Sequence, residues 1–401
     1  MSNENTFDIV VIGAGFAGMY ALYKFRKLGF RVRVYEAGSG VGGTWFWNRY
    51  PGARCDVNSL EYSYQFSDEL QQNWSWPERY SAQPEILEYA NHVAERFDLI
   101  RDIQFDTRVL ALEYGESNNL WLGKTDRDDK FVTKFCVMAT GCLSKHNVPD
   151  IDGLDQFRGE LLHTGKWPHS PVDFKDKSVG IIGTGSSAIQ SIPIIAEQAS
   201  SLTVFQRTPN FSIPAHNASM DKNHEAQVKE NYREFRAQNA EQLAAIRMTL
   251  NPGSALEVSE IEREAVFERS WLEGGLPFAA SFNDIGINLE ANATAADFVL
   301  RKIKSIVNDP KVAEALCPQT VIGCKRLCVD THYYETFNRE NVHLVDIRKN
   351  QIKCVTESGI RTSDADYQFD SLVLATGFDA MTGAILSIDI KGQGKKPLAD
   401  R

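Results

Sequence analysis

Two glycine-rich dinucleotide fingerprints in one chain constrain its fold more than any other feature. The first reads Gly13-Ala-Gly15-Phe-Ala-Gly18, and the second reads Gly183-Thr-Gly185-Ser-Ser-Ala188. In such turns the glycines let the backbone approach a pyrophosphate, which rests at the N-terminus of the following helix. Two fingerprints indicate that two nucleotides are held at once, as a flavin and a nicotinamide would be.

Each fingerprint lies inside a predicted β-α-β unit. Residues 7–12 (FDIVVI) predict a buried strand, 19–29 a helix and 31–35 a second strand. The plan repeats with strands over 178–182 and 202–205 and a helix over 187–199. The sequence therefore predicts an α/β fold with two Rossmann-like dinucleotide-binding domains, for FAD and for NADPH, and a helical insertion in the second.

The domain bounds follow from where these units end. Two further strands, over 135–141 and 371–377, each end in Ala-Thr-Gly, while residues 220–310 carry helical spacing at Ala295, Val299, Ile303 and Ile306. We predict a FAD-binding domain over 1–143, to which 378–401 return. An NADP-binding domain over 144–377 would contain the helical insertion at about 214–328.

The residue that closes each β-α-β unit indicates which nucleotide it binds. Glu36 ends the second strand of the first unit, where a carboxylate accepts hydrogen bonds from ribose hydroxyls and repels a 2′-phosphate. Arg207 takes the equivalent place in the second unit, and Arg207-Thr208 suits the 2′-phosphate of NADP. We expect FAD in the first unit and NADPH in the second; the alternative for Arg207 is a solvated surface side chain.

Composition excludes several other classes of function. A net charge of −10 argues against nucleic acid as a partner, and no apolar stretch is long enough to predict a membrane span. The seven cysteines are scattered, without a close redox pair and without zinc-ligand spacing, so we predict no metal site. Scattered thiols and a polar N-terminus favour the cytoplasm. Because no thiol pair can accept electrons from a reduced flavin, oxygen is the remaining natural acceptor.

Three further motifs carry a specific resemblance. Between the fingerprints lies Phe157-x-Gly159-x-x-x-His163-x-x-x-Trp167-Pro168. The other two are Gly42-Gly43-Thr44-Trp45 running on to Asp56, and Lys325-Arg326-Leu327 followed by Tyr333-Tyr334-Glu335. On these motifs the chain is identified as a member of the type I Baeyer–Villiger monooxygenases, over essentially its whole length. The resemblance implies insertion of one oxygen atom of O2 next to a ketone carbonyl, through a C4a-peroxyflavin, to give an ester or lactone.

The resemblance also implies roles for individual residues. Arg326 would stabilise the anionic flavin peroxide and the oxyanion formed on the ketone, and Asp56 would orient Arg326 beside the flavin. Together with the fingerprints it places the following residues at FAD: Gly13, Gly15, Ala17, Gly18, Glu36, Gly43, Thr44, Trp45, Asp56, Tyr62 and Val109. At NADP it places Arg54, Cys55, Thr184, Gly185, Ser186, Ser187, Ala188, Ile189, Gln190, Arg207, Thr208, Lys325 and Arg326.

Some of these residues have an alternative interpretation. Arg326 could form a purely structural ion pair, and Trp45 could be an ordinary core aromatic. His163 could be a general base, but with Trp167 we place it on the connector into the second domain, where both would transmit domain movement. Arg54 would help to place the nicotinamide, and Lys325 would join Arg207 at the 2′-phosphate.

The chain departs from the family in length, because relatives run well past 500 residues. We therefore expect it to lack a C-terminal segment that completes the flavin domain and part of the ketone pocket. Two alternatives stay open: a flavin monooxygenase that oxygenates nitrogen or sulfur, and an inactive nucleotide-binding fragment. The identity of the ketone, the regioselectivity and the oligomeric state are left open.

Overall fold

Two sheets built around parallel strands carry the two glycine turns. The computed structural model describes residues 5–242 and 244–400. Its strands are β1 Thr6–Ile12, β2 Val32–Tyr35, β3 Ile103–Gln104, β4 Val109–Gly115, β5 Leu120–Thr125, β6 Lys130–Met138, β7 Glu160–His163, β8 Ser178–Ile182, β9 Ser201–Gln206, β10 Ser212–Pro214, β11 Cys328–Asp330, β12 Val342–Asp346, β13 Ile352–Thr356, β14 Gly359–Thr362, β15 Asp366–Gln368, β16 Ser371–Leu374 and β17 Asp389–Lys391.

Helices cover both sheets and form the segment between β10 and β11. They are α1 Phe16–Lys27, α2 Thr44–Trp47, α3 Asp68–Asn73, α4 Gln83–Arg96, α5 Ser186–Gln198, α6 Lys222–Glu230, α7 Tyr232–Ala240, α8 Glu260–Glu273, α9 Leu289–Ile306, α10 Pro310–Leu316, α11 Tyr333–Thr336 and α12 Gly383–Leu386. Over the described residues, none of these helices has both the length and the apolar character that crossing a membrane requires.

The first sheet has seven strands in the order β17-β4-β5-β6-β1-β2-β3. Strand β1 runs parallel to β2 and β6, while β4, β5 and β6 form an antiparallel meander. Alternate residues of β1 enter two different cores. Val11 packs with Leu22 of α1, and Val10 packs with Phe131 on the other face. Burial on both faces explains why this strand reads as one continuous apolar run.

The second sheet has five parallel strands in the order β12-β9-β8-β16-β7. Its core combines Val179 and Ile181 of β8 with Ile189 and Ile192 of α5. The predicted α/β fold with two Rossmann-type domains is therefore confirmed. The residue bounds of the two domains stay a prediction, although β17 joins the first sheet by pairing in parallel with β4.

The structure corrects several element bounds. The helix predicted over 19–29 begins at Phe16 and ends at Lys27, because the glycine turn passes directly into the helix. The strands predicted over 135–141 and 371–377 end at Met138 and Leu374, so the two Ala-Thr-Gly tripeptides form turns beyond the strand ends. The small sheet β13-β14-β15 and the parallel pair β10-β11 were not predicted.

The helical insertion is present as α6 to α10. The stripe predicted from residue spacing lies on α9, where Ala295, Val299 and Ile303 are fully buried and Ile306 is half-buried against the same core. These side chains face the core of the second sheet, so the insertion is packed onto the second nucleotide unit.

Two antiparallel chain segments connect the two units, and we call them the crossover ribbon (residues 145–147 and 377–379). The N–H of Asn147 donates to the carbonyl of Gly377 at 2.9 Å, and the N–H of Asp379 donates to the carbonyl of Lys145 at 2.9 Å. The Lys145 ammonium also pairs with the Asp379 carboxylate at 3.0 Å. The outgoing and returning segments therefore hold each other.

Candidate functional site

The first glycine turn leaves no room for side chains. Gly13 has φ +104°, and a Cβ there would lie 2.5 Å from the carbonyl oxygen of Ala139. A Cβ on Gly18 would lie 1.9 Å from the carbonyl oxygen of Gly13. Both positions therefore require glycine, and the turn brings β1, α1 and the first Ala-Thr-Gly tripeptide into direct contact.

A second glycine pair lies against this turn. A Cβ on Gly43, which has φ +54°, would lie 2.7 Å from the Cα of Gly15, and the N–H of Gly42 donates to the carbonyl of Ala14 at 3.1 Å. Helix α1 begins after Gly15 without any side-chain cap. The first N–H groups of α1 have no side-chain partner, and the glycines around them leave space for a phosphate to approach. This arrangement fits the pyrophosphate of FAD.

Glu36 is a buried carboxylate beside the same turn. It accepts hydrogen bonds from the N–H of Ala14 at 2.6 Å and from the N–H of Gly38 at 2.7 Å. Burial raises the pKa of Glu36, and these backbone donors only partly offset the effect. Each carboxylate oxygen has a further lone pair, so Glu36 fits a ribose diol of FAD as well as fixing the turn.

Aromatic side chains follow the second glycine pair. The indole N–H of Trp45, on α2 beside Thr44, donates to the hydroxyl of Tyr62 at 2.9 Å. Trp45 also belongs to a core cluster with Leu60 and Ile86, so its alternative role as a core residue is also satisfied. Val109 is buried at the start of β4. The proposed contacts of these residues with a flavin stay predictions.

The second glycine turn repeats the first. Gly183 has φ +119°, and a Cβ there would lie 2.4 Å from the carbonyl oxygen of Ala375, whereas a Cβ on Gly185 would meet no atom within 4 Å. Helix α5 begins at Ser186 without a side-chain cap. The hydroxyl of Ser187 lies 3.0 Å from that of Thr164. The open space and free N–H groups fit a second pyrophosphate, as NADP requires.

Ala188 and Ile189 follow in α5, and both side chains are fully buried in the core of the second sheet. They can therefore offer a nucleotide only their backbone.

Two exposed cations accompany this turn. Arg207 follows β9 directly, and Lys325 precedes Arg326; within the described part of the chain neither forms an ion pair. The hydroxyl of Thr184 donates to the carbonyl of Thr208 at 2.9 Å, which ties the glycine turn to the Arg207-Thr208 segment. An exposed, unpaired Arg207 in a segment tied to the glycine turn fits a 2′-phosphate, and so favours NADP over NAD; the place of Lys325 at that phosphate stays a prediction.

Arg326 and Asp56 meet across the two units. The guanidinium donates from Nε to Oδ2 at 3.0 Å, and from Nη2 to Oδ1 at 2.7 Å and to Oδ2 at 2.6 Å. The Asp56 side chain is 14% exposed and that of Arg326 is 67% exposed. Burial alone would lower the pKa of Arg326, but the Asp56 carboxylate outweighs it and the pKa is raised. The predicted pair is thus formed, and its cation stays charged.

Three residues assigned to NADP have other partners. The guanidinium of Arg54 contacts the carboxylate of Glu78 and the carbonyl of Tyr80, which holds it within its own loop. Cys55 is buried, and burial raises the pKa of its thiol to about 12. Gln190 donates to the carbonyl of Arg54 at 3.0 Å, and it also lines a cavity together with Arg54 and Cys55. The side chains of these three residues thus make contacts within the protein, and their assignment to NADP stays a prediction.

His163 lies where the crossover ribbon meets the second sheet. It is the last residue of β7, not part of a connector as predicted, because it pairs in register with Leu374 of β16. Its Nδ1 accepts from the N–H of Gly165 at 2.9 Å, and its Nε2 lies 3.0 Å from the carbonyl of Asn147 and 3.2 Å from the hydroxyl of Thr376. An acceptor at Nδ1 and a donor at Nε2 describe a neutral imidazole.

The surroundings of His163 agree with that state. Burial lowers its pKa, and the ring of His146 lies 4.8 Å away. Trp167 is buried against Phe174 of the same unit. His163 therefore contacts the first segment of the ribbon and Thr376, the residue just before the second segment, which fits a linker role better than a general base. The role itself stays a prediction.

A cleft of about 870 Å3 opens beside Asp56. It was not predicted, because its walls come from segments far apart in the chain. The lining residues include Tyr80, Met220, Leu250, Leu276 and Pro277. The charged residues on its walls include Glu61, Arg79 and Arg269. The cleft has the volume of a small-molecule site, and Asp56 of the ion pair forms part of its wall.

Comparison with known protein families identifies a nucleotide-binding architecture. The family described as pyridine nucleotide-disulphide oxidoreductase matches residues 7–261. All seven cysteines of this chain are nevertheless free thiols, and within the described residues no group of His, Cys, Asp or Glu side chains is placed to hold a metal ion. The family match therefore describes the nucleotide-binding architecture.

Several relatives align with nearly the whole chain. The 2-oxo-Δ3-4,5,5-trimethylcyclopentenylacetyl-CoA monooxygenase of Pseudomonas putida is 42% identical, and the alignment covers 98% of this chain and 74% of the relative. A Baeyer–Villiger monooxygenase of Pseudooceanicola batsensis is 44% identical over 100% of this chain and 75% of its own. Phenazine N-monooxygenase PhzNO1 of Lysobacter antibioticus is 40% identical over 99% and 74%.

Solved structures agree closely with this fold. An oxidized steroid monooxygenase bound to NADP superimposes with a TM-score of 0.96 at 53% identity, covering 98% of this chain and 76% of that one. The complex of OTEMO with FAD and NADP gives a TM-score of 0.96 at 43% identity, with 98% and 76% covered.

Proposed function

This chain belongs to the Baeyer–Villiger monooxygenases, and from that premise we propose how its residues serve the reaction. The family members are flavoproteins that use FAD, NADPH and O2 to insert one oxygen atom beside a ketone carbonyl. When bound, FAD would pass the electrons of NADPH to O2, and O2 would supply the oxygen atom that is transferred. The protein supplies binding, orientation and charge.

The observation that carries the proposal is the one-sided geometry of the Asp56–Arg326 pair. Nε and Nη2 of Arg326 face the carboxylate, while Nη1 has no hydrogen-bond partner anywhere in the described residues. When an oxygen nucleophile adds to a ketone carbon, negative charge develops on the carbonyl oxygen. We assign the free Nη1 edge of Arg326 to that oxygen, because a fixed cation stabilises developing charge without reorganisation.

Asp56 has a positioning role in this scheme. A carboxylate that binds two nitrogens of one guanidinium fixes the plane of that group as well as its position. The carboxylate also keeps Arg326 charged, since it raises the pKa of that guanidinium. Asp56 therefore turns a long, flexible side chain into an oriented donor.

We assign the cleft beside Asp56 to the ketone. Its volume of about 870 Å3 is near the upper end for small-molecule sites, so it accommodates a polycyclic ketone as well as a simple cyclic one. A relative at 53% identity is a steroid monooxygenase, which supports a large substrate. Apolar side chains such as Leu276 and Met220 would contact the rings, and the carbonyl would face Arg326.

The test is a substrate panel with NADPH and labelled O2. It contains cyclohexanone and a steroid ketone, and each product is analysed by mass spectrometry. We expect an ester or lactone that carries one labelled oxygen atom, with a higher kcat/KM for the steroid ketone. NADPH oxidation that yields only hydrogen peroxide with every ketone would refute the assignment.

One observation favours a second candidate. A relative at 40% identity is named a phenazine N-monooxygenase, so oxygenation of an aromatic nitrogen belongs in the same panel. Phenazine is the probe, and the N-oxide is the diagnostic product. Such a reaction develops no oxyanion on a carbonyl, so it would survive loss of Arg326 far better than ester formation. Flavin absorbance of the purified protein separates both candidates from an inactive nucleotide-binding fragment.

A further inference from the structure

One amide side chain holds the loop before Asp56 against the nucleotide-binding helix. The hydroxyl of Tyr50 donates to Oε1 of Gln190 at 2.9 Å, and Nε2 of Gln190 donates to the carbonyl of Arg54 at 3.0 Å. Gln190 lies in the second turn of α5, on the second unit, whereas Tyr50 and Arg54 belong to the first. Both ends of a short loop are therefore fixed by one side chain of the opposite unit.

Packing reinforces this attachment. Gly52, at the middle of the loop, has φ +77°, and a Cβ there would lie 2.2 Å from the carbonyl oxygen of Gln190 and 3.2 Å from Ile194. The loop backbone thus lies directly on α5, and only glycine permits that approach. The ring of Tyr50 packs against the core of the second sheet. The loop is thus attached to α5 at Tyr50, Gly52 and Arg54, and a cavity of about 420 Å3 lies beside it.

The orientation of the Gln190 amide is determined by its partners. Burial, followed by the negative charge of Asp56, raises the pKa of the Tyr50 phenol, so the hydroxyl is protonated and donates. Oε1 of Gln190 must then accept, which directs Nε2 to the carbonyl of Arg54. Tyr50 precedes Asp56, the carboxylate partner of Arg326, by six positions in the chain.

The docked loop leads straight into that pair. Asp56 follows Arg54 by two residues, and the intervening Cys55 is buried, with its N–H donating to the carbonyl of Ser81 at 3.1 Å. A shift of the loop on α5 would therefore be passed to the Asp56 carboxylate. Arg326 belongs to the same unit as α5. The docked loop and Arg326 are therefore both held by the second unit.

We propose that Tyr50 and Gln190 are positioning residues for oxygen transfer: they fix the loop over residues 50–54 on α5 and so set the Asp56 carboxylate against Arg326. Nucleotide binding at the N-terminus of α5 and the orientation of Asp56 are then coupled through one helix. The inference rests on the proposed roles of Asp56 and Arg326, and it gives Gln190 a task other than direct contact with NADP.

The experiment compares Tyr50→Phe, Gln190→Leu and the double variant in the FAD-loaded protein, with Gln198→Leu at the exposed end of α5 as the matched control. The measured quantities are ester formed per NADPH consumed, kcat, and KM for NADPH. Loss of one neutral hydrogen bond predicts a fall of about 3- to 10-fold in kcat for ester formation and a lower ester yield. KM for NADPH should change less than kcat.

Two results support the coupling specifically. The double variant should fall no further than the worse single variant, because both substitutions break one hydrogen-bonded chain. Hydrogen exchange of residues 50–56 should be faster in Gln190→Leu than in the wild type or in Gln198→Leu. FAD content and thermal stability should match the control.

Three results would overturn the proposal. The first is a raised KM for NADPH at unchanged ester yield, which would make Gln190 a nucleotide ligand. The second is additive loss in the double variant, and the third is unchanged exchange of residues 50–56 in Gln190→Leu. If the wild type itself formed no ester, the proposed function would fail, while the exchange measurement would still decide the positioning role.

Discussion

Arg326 binds both carboxylate oxygens of Asp56 through Nε and Nη2, so its remaining edge faces away from the pair. The two residues come from different units of the protein and are 270 positions apart in the chain. An ion pair between two distant chain segments that leaves one donor edge free can serve a reacting group as well as the fold. Single substitutions can test what this pair contributes to the reaction.

Replacing Arg326 by alanine should abolish oxygen transfer without unfolding the protein. The Arg326 side chain is 67% exposed, but its partner Asp56 is only 14% exposed, so the substitution leaves a largely buried carboxylate unpaired and should cost about 1–3 kcal/mol of folding free energy. Loss of a donor to a developing oxyanion lowers kcat by roughly 10²- to 10³-fold. Steady-state ester formation and thermal unfolding are the two measurements.

Arg361→Ala is the matched control for that substitution. Arg361 pairs with Asp366 at 2.8 Å on an exposed face of the small sheet, so it tests the loss of an ion pair as such. Ester formation should stay at the wild-type rate in Arg361→Ala. Equal losses in both variants would show that Arg326 acts through structure alone.

Arg207→Ala should weaken NADPH binding and leave NADH nearly unaffected. Arg207 is exposed and, among the described residues, free of carboxylate partners, so its charge is available to a 2′-phosphate. A charge-assisted hydrogen bond contributes about 1.5–3 kcal/mol, which predicts a loss of about 10- to 100-fold for NADPH. Dissociation constants for both coenzymes are the measurement. Arg348→Ala, which removes an arginine paired with its neighbour Asp346, should change neither.

His163 should make the protein less stable in mild acid. Its folded pKa is lowered by burial, so below about pH 6.5 the unfolded chain binds more protons than the folded one. The stability present above that pH is lost as the pH falls through the folded pKa, because a proton on Nδ1 opposes the N–H of Gly165.

The measurement for His163 is the difference in thermal midpoint between about pH 7.5 and about pH 5.5. His163→Gln should reduce that difference. His343→Gln, at an exposed position of β12, should retain the wild-type difference. A variant of His163 with the full wild-type difference would assign the acid sensitivity to other groups.

Gly43→Ala should reduce FAD binding by more than backbone strain explains. The new Cβ would lie 2.7 Å from the Cα of Gly15, so the two glycine segments would have to separate. Gly29→Ala is the control, because Gly29 has φ +86° but a Cβ there would meet no atom within 4 Å. Both variants should lose about 1 kcal/mol of stability from strain, and only Gly43→Ala should lose flavin. The flavin-to-protein absorbance ratio of each preparation gives the answer.

The sequence predicted the parts of the fold that local patterns determine. Apolar runs that end in glycine turns identified β1 and β8 and the helices that follow them, because strand, turn and helix are adjacent in the chain. The resemblance identified Asp56 and Arg326 as partners, and the structure places them in contact. Their separation in the chain is too large for any local pattern to have paired them.

The unpredicted features depend on contacts between distant segments. Strands β4 and β5 were not predicted and β6 was predicted only from Phe135 onward, because buried and exposed residues alternate irregularly along this meander. Tyr50 was quoted in a motif but received no role, since its partner Gln190 lies 140 positions away. Arg54 was assigned to the nicotinamide because nothing in its neighbourhood reveals that Glu78 neutralises it.

The crossover ribbon has a mechanical consequence. Two connecting segments that do not contact each other would let the two units rotate about any axis. Two segments that are hydrogen-bonded to each other form a flat ribbon, which bends easily in one direction and resists shear. The crossover ribbon at residues 145–147 and 377–379 should therefore let the two nucleotide sheets move relative to each other mainly by bending in one direction. His163 contacts the carbonyl of Asn147 and the ring of His146, and so holds one end of the ribbon. We therefore expect the ribbon to bend near residue 146. Relative motion of the two nucleotide sheets should consequently be a bend about one line near that residue.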